Sequence, residues 1–286
     1  MIPGVASLYQ QIVQVAWNIA FIEEGLDDIL KGCPLHFHFM SHSFTDRWFA
    51  DPFILSVDNK HVVLLAEEYS LNEHKGNIVR LVVNRKDYAL DDRQMILCHS
   101  SHVSFPQIVR NGNDFQILPE NTSEGNVSLF DSSGKRVSVL LPFPLHDALL
   151  TSLFGKPQIW GTPNHNMSGN ELEVYEKMPT SYQLVQKIQF TDNVARNAGD
   201  FFRVGNNIYR PGQICNKLYG EGVCLQRVEQ NAGGLHFSEV RRILPPSPYV
   251  GLHTFNAYHG VVVTDVHSIR QTAFSRMMFN LRHQII

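Results

Sequence analysis

The sequence predicts an all-β fold, a five-bladed β-propeller, and two observations carry that expectation. A short signature of polar or acidic residues set among aromatic and apolar ones recurs five times at intervals of roughly fifty residues, close to the repeat length of about 40–50 residues in known propellers. Each recurrence runs into a polar turn and then a second apolar run, which is the pattern of a β-hairpin. In a propeller every blade is a four-stranded sheet, and the first strand of each lines the central channel.

The units start near residues 48, 102, 145, 196 and 251. The first is Trp48-Phe49-Ala50-Asp51-Pro52-Phe53-Ile54, followed by the turn Asp58-Asn59-Lys60 and the apolar run 62–66. Asp51 stands at the start of the inner strand, where a carboxylate needs a partner or a task; capping a turn through neighbouring backbone N–H groups is the plainer task. In the second unit, His102-Val103-Ser104-Phe105-Pro106-Gln107-Ile108-Val109 precedes the turn 111–114 and the strand 115–118. Leu145-His146-Asp147-Ala148-Leu149-Leu150 opens the third, with a turn near Gly155-Lys156-Pro157. Ala198-Gly199-Asp200-Phe201-Phe202 and Gly251-Leu252-His253-Thr254-Phe255-Asn256 mark the fourth and fifth, with turns at Gly205-Asn206-Asn207 and Tyr258-His259-Gly260. The run 9–22 carries both helical spacing and the look of a buried strand. A strand is favoured, because an N-terminal strand can complete the last blade and close the ring, making residues 1–286 a single domain. The tail 272–283 suits helix and strand equally.

Composition narrows the function classes. The chain has 286 residues, 43% hydrophobic and 18% charged, with a net charge of −3. That is an ordinary globular balance with material for a core. It lacks the basic footprint of a nucleic-acid binder. No apolar stretch approaches the 18 residues of a membrane span, and Glu23 and Glu24 soon interrupt the first apolar run, so no secretion signal is read. Cys33, Cys98, Cys215 and Cys224 form no C-x-x-C pair, which points to free thiols in a reducing, cytoplasmic setting. Three N-x-S/T sequons are then chance matches. His36, His38 and His42 suggest a metal site at first sight, but without a carboxylate at matching spacing before Asp46 they read as the outer face of a strand. No metal and no cofactor is expected.

If the inner strands begin at one end of the channel, Asp51, Glu68, Glu120, Asp147, Arg196, Arg210, Gln213, His253 and Asn256 converge there. Of the adjacent Glu67 and Glu68, only one can face the channel, because strand neighbours point to opposite sides; Glu68 is preferred. Clustered carboxylates repel and their pKa values separate, so one can hold a proton while another is ionised, as work on a glycosidic bond requires. The arginines suit an anionic group on a ligand, or else they neutralise the acids.

Together, Trp48-Phe49-Ala50-Asp51-Pro52-Phe53, Ser104-Phe105-Pro106, Pro119-Glu120, His146-Asp147-Ala148, Tyr209-Arg210-Pro211-Gly212-Gln213 and His253-Thr254-Phe255-Asn256 resemble the N-terminal domain of plant glucosamine inositolphosphorylceramide transferases and its bacterial relatives, over about residues 12–267. That family in turn resembles five-bladed glycosidases of the arabinanase and levansucrase type, the glycoside hydrolase family 43-like fold. The resemblance implies a catalytic carboxylate in the Ala-Asp-Pro motif, Asp51, with Asp147 as the residue that tunes the acid. The pattern departs where the acid normally opens a later blade, since the fourth unit offers Arg196 and Asp200; Glu120 is the substitute. The resemblance implies that in the plant family glycosyl transfer belongs to a separate domain, and no room for that second domain is expected in these residues.

Three functions follow as expectations. The first is recognition of an anionic sugar or sugar phosphate in polysaccharide or glycolipid biosynthesis, with Glu68, Arg196, Arg210, Gln213, His253 and Asn256 binding it. The second is a glycoside hydrolase or transglycosidase using Asp51, Glu120 and Asp147. The third is a non-catalytic scaffold for a partner glycosyl- or formyltransferase.

Overall fold

The computed structural model describes residues 14–112, 114–166 and 169–270. Within them the chain is an all-β, five-bladed propeller. The first blade contains β3 (Arg47–Val57), β4 (His61–Ser70), β5 (Lys75–Asn84) and β6 (Leu90–Leu97). The second contains β7 (Ser104–Asn111), β8 (Asp114–Glu120), β9 (Val127–Asp131) and β10 (Arg136–Leu141). The third runs through β11 (Leu145–Thr151), β12 (Gln158–Pro163), β13 (Glu171–Lys177) and β14 (Tyr182–Gln189), and the fourth through β15 (Phe202–Val204), β16 (Asn207–Ile214), β17 (Gly222–Asn231) and β18 (Gly234–Ile243). In the fifth sheet the order is β19 (Phe255–Tyr258), β20 (Val261–Arg270), β1 (Gln14–Ile22) and β2 (Phe37–Phe39). Antiparallel pairing of β1 with β20, from Gln14↔Arg270 to Ile22↔Val262, joins the first and last described strands in that sheet. The run 9–13 and the tail 272–283 lie outside the described residues. A five-residue helix, α1 (Leu26–Leu30), is the longest helix among the described residues.

Alternating apolar residues make the strands and the interfaces between blades. Leu64 and Ala66 of β4, with Val79, Leu81 and Val83 of β5, pack against Ile19, Phe21 and Val263 of the fifth sheet. Leu65 and Ile78 meet Phe105, Ile108 and Ile117 of the second blade. Trp160, wholly buried on β12, lies between Phe154, Phe201 and Phe237 and donates its indole N–H to Gln158 at 3.0 Å. The outer strands of the blades show the opposite pattern: Val137 and Val139 of β10 and Leu184 and Val185 of β14 are exposed.

Three inner strands carry the same irregularity. Their registers shift between Ala50 and Phe53, between Ser104 and Gln107, and between His146 and Leu149. At those points Asp51, Phe105 and Asp147 adopt left-handed backbone, with φ of 51°, 47° and 47°. Such a conformation costs a residue with a Cβ roughly 1–2 kcal/mol, so each bulge needs support. A carboxylate of the preceding blade supplies it: Asp51 N–H donates to Asp265 at 3.0 Å, Phe105 N–H to Asp51 at 3.0 Å, and Asp147 N–H to Glu120 at 2.7 Å. Asn256 accepts from the N–H of Asp200 and donates to the carbonyl of Pro52, tying three blades together.

The four cysteines are free. The three early histidines do not share one centre. His36 Nδ1 meets Glu24 at 2.5 Å, His38 stacks on Tyr88 at 4.7 Å, and His42 meets Phe49 edge-on. No helix among the described residues is long and apolar enough to cross a membrane.

Candidate functional site

The bulges bring the acidic residues to one end of the propeller axis. A cavity of about 260 Å³ opens there, with Asp51, Glu67, Glu120 and Asp147 on its surface. His102, His146, Arg196 and His253 join them, and the rings of Trp17, Trp48, Tyr69 and Tyr219 form much of the remaining wall. All five blades contribute. Trp48 and Tyr69 are cross-strand partners on β3 and β4 and stack with centroids 4.5 Å apart and planes 2° from parallel.

Two ionic clusters organise the floor. In the first, His253 stands between two carboxylates: Nε2 is 3.3 Å from Asp51 and Nδ1 is 2.8 Å from Asp265. Asp265 also accepts the backbone N–H groups of His253 and Thr254, at 3.0 and 3.1 Å. Burial opposes charge on His253, but Asp265 and Asp51 outweigh it and its pKa is raised. Asp265 is buried, yet His253 and the N–H donors bring it below the usual carboxylate value. Asp51 goes the other way: burial pushes it up to about 6 against the pull of His253. The ligand atoms of Asp51, His253 and Asp265 lie within 4.8 Å of one another, a spacing that would admit a metal ion. The carboxylates already accept four backbone N–H groups, so they are satisfied by the protein itself.

In the second cluster Arg196 lies between Asp147 and Glu120, with Nε 2.6 Å from Asp147 and an amino nitrogen 3.5 Å from Glu120. Gln213 donates to the same Asp147 oxygen at 2.8 Å. His146 bridges Glu120 and Asn164, at 3.0 Å to each. Burial would raise Glu120, but the hydrogen bond and charge of His146, the charge of Arg196 and the Asp147 side chain hold it down at about 2. Asp147 is pushed up to about 7 by burial, opposed by Arg196 and assisted by the charge of Glu120. The sequence assigned the proton-donating role to Glu120. His146 and Arg196 favour its ionised form.

The structure therefore gathers Asp51, Glu120, Asp147, Arg196 and His253 on one cavity and leaves four other sequence candidates away from it. Glu68 faces the opposite side of β4, where Arg47 and Arg93 bind it at 2.5–3.1 Å; its neighbour Glu67 faces the cavity. Arg210 is wholly buried and donates to Asn197, Gln226 and the carbonyls of Val194 and Ala195. Gln213 donates to Asp147 and the Asn197 carbonyl, and Asn256 is bonded to the backbone of Asp200 and Pro52. Sequence reasoning missed Glu67, Asp265, His102, His146 and the aromatic wall. Asp265 gave the signal that drew attention to Asp51, a carboxylate set in an apolar strand.

Residues 37–270 match the family described as glucosamine inositolphosphorylceramide transferase 1, N-terminal. The proteins named glucosamine inositolphosphorylceramide transferase 1 from Oryza sativa subsp. japonica and from Arabidopsis thaliana are each 25% identical to this chain, over 201 and 205 residues. Those matches take in 65% and 67% of the chain but only 27% of each relative's length. Among solved structures, Zg3597, a family 117 glycoside hydrolase from the marine bacterium Zobellia galactanivorans, aligns with 80% of this chain and 88% of its own at 10% identity and a TM-score of 0.49; that likeness carries no weight for function. The family match spans most of the chain and all five blades, and the chain belongs to the family of glucosamine inositolphosphorylceramide transferase 1 N-terminal domains.

Proposed function

We propose that this propeller holds one sugar unit of a glycan or glycolipid in its axial cavity. The observation that carries the reading is the combination of hydrogen-bonding carboxylates on the floor with aromatic rings on the wall. A pyranose ring presents hydroxyl groups at its edge and C–H groups on its faces, so it needs both kinds of surface. Membership of a carbohydrate-related family supports this context. Expectation of an anionic ligand rested on Arg196 and Arg210. Arg210 lies away from the cavity, and Arg196 is committed to Asp147 and Glu120. Acid outweighs base there, so the favoured ligand is a neutral or ammonium-bearing sugar. The curated relatives have glucosamine in their names, and an amino sugar suits such a charge balance. Titration calorimetry with glucosamine, glucose and glucuronic acid tests this: glucosamine should bind most tightly and glucuronic acid least. Tightest binding of glucuronic acid would overturn the charge argument.

A second reading is work on the glycosidic bond itself, favoured by the opening of Asp51, Glu120 and Asp147 onto one cavity. Turnover of aryl glycosides by the wild type and its loss in Asp51→Asn would support it. A partner glycosyltransferase fits either reading, since the relatives extend well beyond the matched region.

A further inference from the structure

We propose that Glu67, paired with His102, is the proton donor of the cavity. This rests on the second reading above, work on a glycosidic bond, and assigns the acid that the sequence sought in Glu120. Glu67 reaches the cavity from β4, its side chain 6% exposed. Its cross-strand partner is Ala50, beside Asp51. Each of the other carboxylates is held by strong donors: Glu120 by His146, Arg196 and a backbone N–H, Asp147 by Arg196 and Gln213, Asp51 by His253 and Phe105 N–H. Glu67 Oε1 is buried without a hydrogen bond. Gly76 makes room for that carboxyl, because a Cβ there would collide with it and stand 2.7 Å from the Val103 carbonyl.

His102 completes the pair. Its Nδ1 accepts the backbone N–H of Gly76 at 3.0 Å. A neutral imidazole has one N–H and one acceptor nitrogen, so the proton of His102 lies on Nε2, 3.5 Å from Glu67 Oε1. Burial disfavours the charged form of this imidazole. The ring is 46% exposed, so it touches both solvent and the buried acid. The charges facing Glu67 are Asp51, Asp265, Glu120 and Asp147; burial first, and then those charges, raise its pKa well above the ordinary value. Asp147 is also pushed up, but Arg196 and Gln213 both donate to it and favour its carboxylate.

The Glu67 carboxyl gives its proton to the bridging oxygen, and the bond from that oxygen to the anomeric carbon breaks with its electron pair going to oxygen. Water adds to the anomeric carbon and passes a proton to Asp51. Asp51 passes that proton on to solvent, and Glu67 is reloaded from His102 Nε2 as Nδ1, freed from the Gly76 N–H, takes a proton from solvent.

Infrared difference spectroscopy at pH 7 reads the donor directly, without substrate. The wild type should show the carbonyl stretch of a protonated carboxyl group that Glu67→Gln removes and Asp147→Asn retains. Absence of any band that Glu67→Gln removes and Asp147→Asn keeps overturns the assignment; a band lost in Asp147→Asn belongs to Asp147, itself pushed up to about 7. In D2O the band's isotope shift should develop at least about tenfold more slowly in His102→Phe; an unchanged rate overturns the reloading role. Among aryl and methyl glycosides of glucosamine, Glu67→Gln should lose roughly 100-fold or more on the methyl glycoside, the usual scale of general acid catalysis, and far less on 2,4-dinitrophenyl glycoside, whose leaving group needs no proton. A wild type that shows the band but turns over neither glycoside would overturn the bond-working reading and the donor's task, while leaving the protonated Glu67 in place.

Discussion

Asp51→Asn separates a charge held for function from a charge held for stability. Asp51 is buried and its pKa rises from 3.8 to about 6. A raised carboxylate pKa means that the unfolded chain ionises more readily than the folded one. Between pH 3.8 and 6 stability therefore falls as pH rises, and above pH 6 the whole deficit is present. The rise corresponds to about 3 kcal/mol. Neighbouring Asp265, Glu120 and His253 readjust their protons when the charge is removed, which brings the expected gain to about 1–3 kcal/mol at pH 7.5. Asparagine keeps an oxygen for the Phe105 N–H and tolerates the left-handed backbone at this position. Its amide N–H can face His253 Nε2 once that imidazole is neutral. Urea denaturation at pH 7.5 and pH 4 gives the measurement. The variant should be more stable at pH 7.5 and nearly equal to wild type at pH 4, with sugar binding weakened. A loss of stability at pH 7.5, or a gain of the same size at both pH values, would refute the reasoning.

Other substitutions probe the remaining charges. Arg196→Met strands Glu120 and Asp147 and should cost about 3–5 kcal/mol at pH 7; because Glu120 is held at about 2, its share of the deficit should shrink as pH falls below 4.5, in urea titrations run at several pH values. Glu68→Gln weakens the bonds from Arg47 and Arg93 and should lower stability by about 1–3 kcal/mol, with glucosamine affinity unchanged by calorimetry. Arg210→Met leaves two side-chain and two backbone acceptors without their donor and should cost at least about 3 kcal/mol; thermal unfolding checks it, and a neutral result would show that the guanidinium is dispensable.

The repeating architecture was legible because hairpin chemistry is local. Turns such as Asp58-Asn59-Lys60 and Tyr258-His259-Gly260 separate apolar runs, and the structure has strands ending and starting around them. Less legible was the fourth blade, whose inner strand is only Phe202–Val204; Arg196 and Asn197 come before it, with Asn197 bridging to Gly212 outside the regular strands. Face assignment failed at Glu67 and Glu68 because parity has to be fixed against a partner strand. The aromatic pair Trp48 and Tyr69 would have fixed it, since Glu67 and Tyr69 share a face two residues apart and Tyr69 opposes Trp48. The two arginines showed that positive charge was present, but not where it would be spent. Arg210 is taken up by neutral acceptors within its own blade, a role that depends on three-dimensional neighbours.

Asp265 gives the cavity a second character. It stands on β20, the strand that also pairs with β1, and it grips the N–H of Asp51 on the next blade along with two N–H groups of its own blade. The seam of the ring is thus fastened by the same carboxylate that orients His253 over Asp51. A ligand seated on these groups would act as a clasp across the seam. Whatever binds only the closed ring also stabilises it by mass action, by about 2.7 kcal/mol at one hundred times its dissociation constant. Occupancy and closure become one equilibrium, in which a blade that comes loose empties the cavity and a filled cavity holds the blades shut.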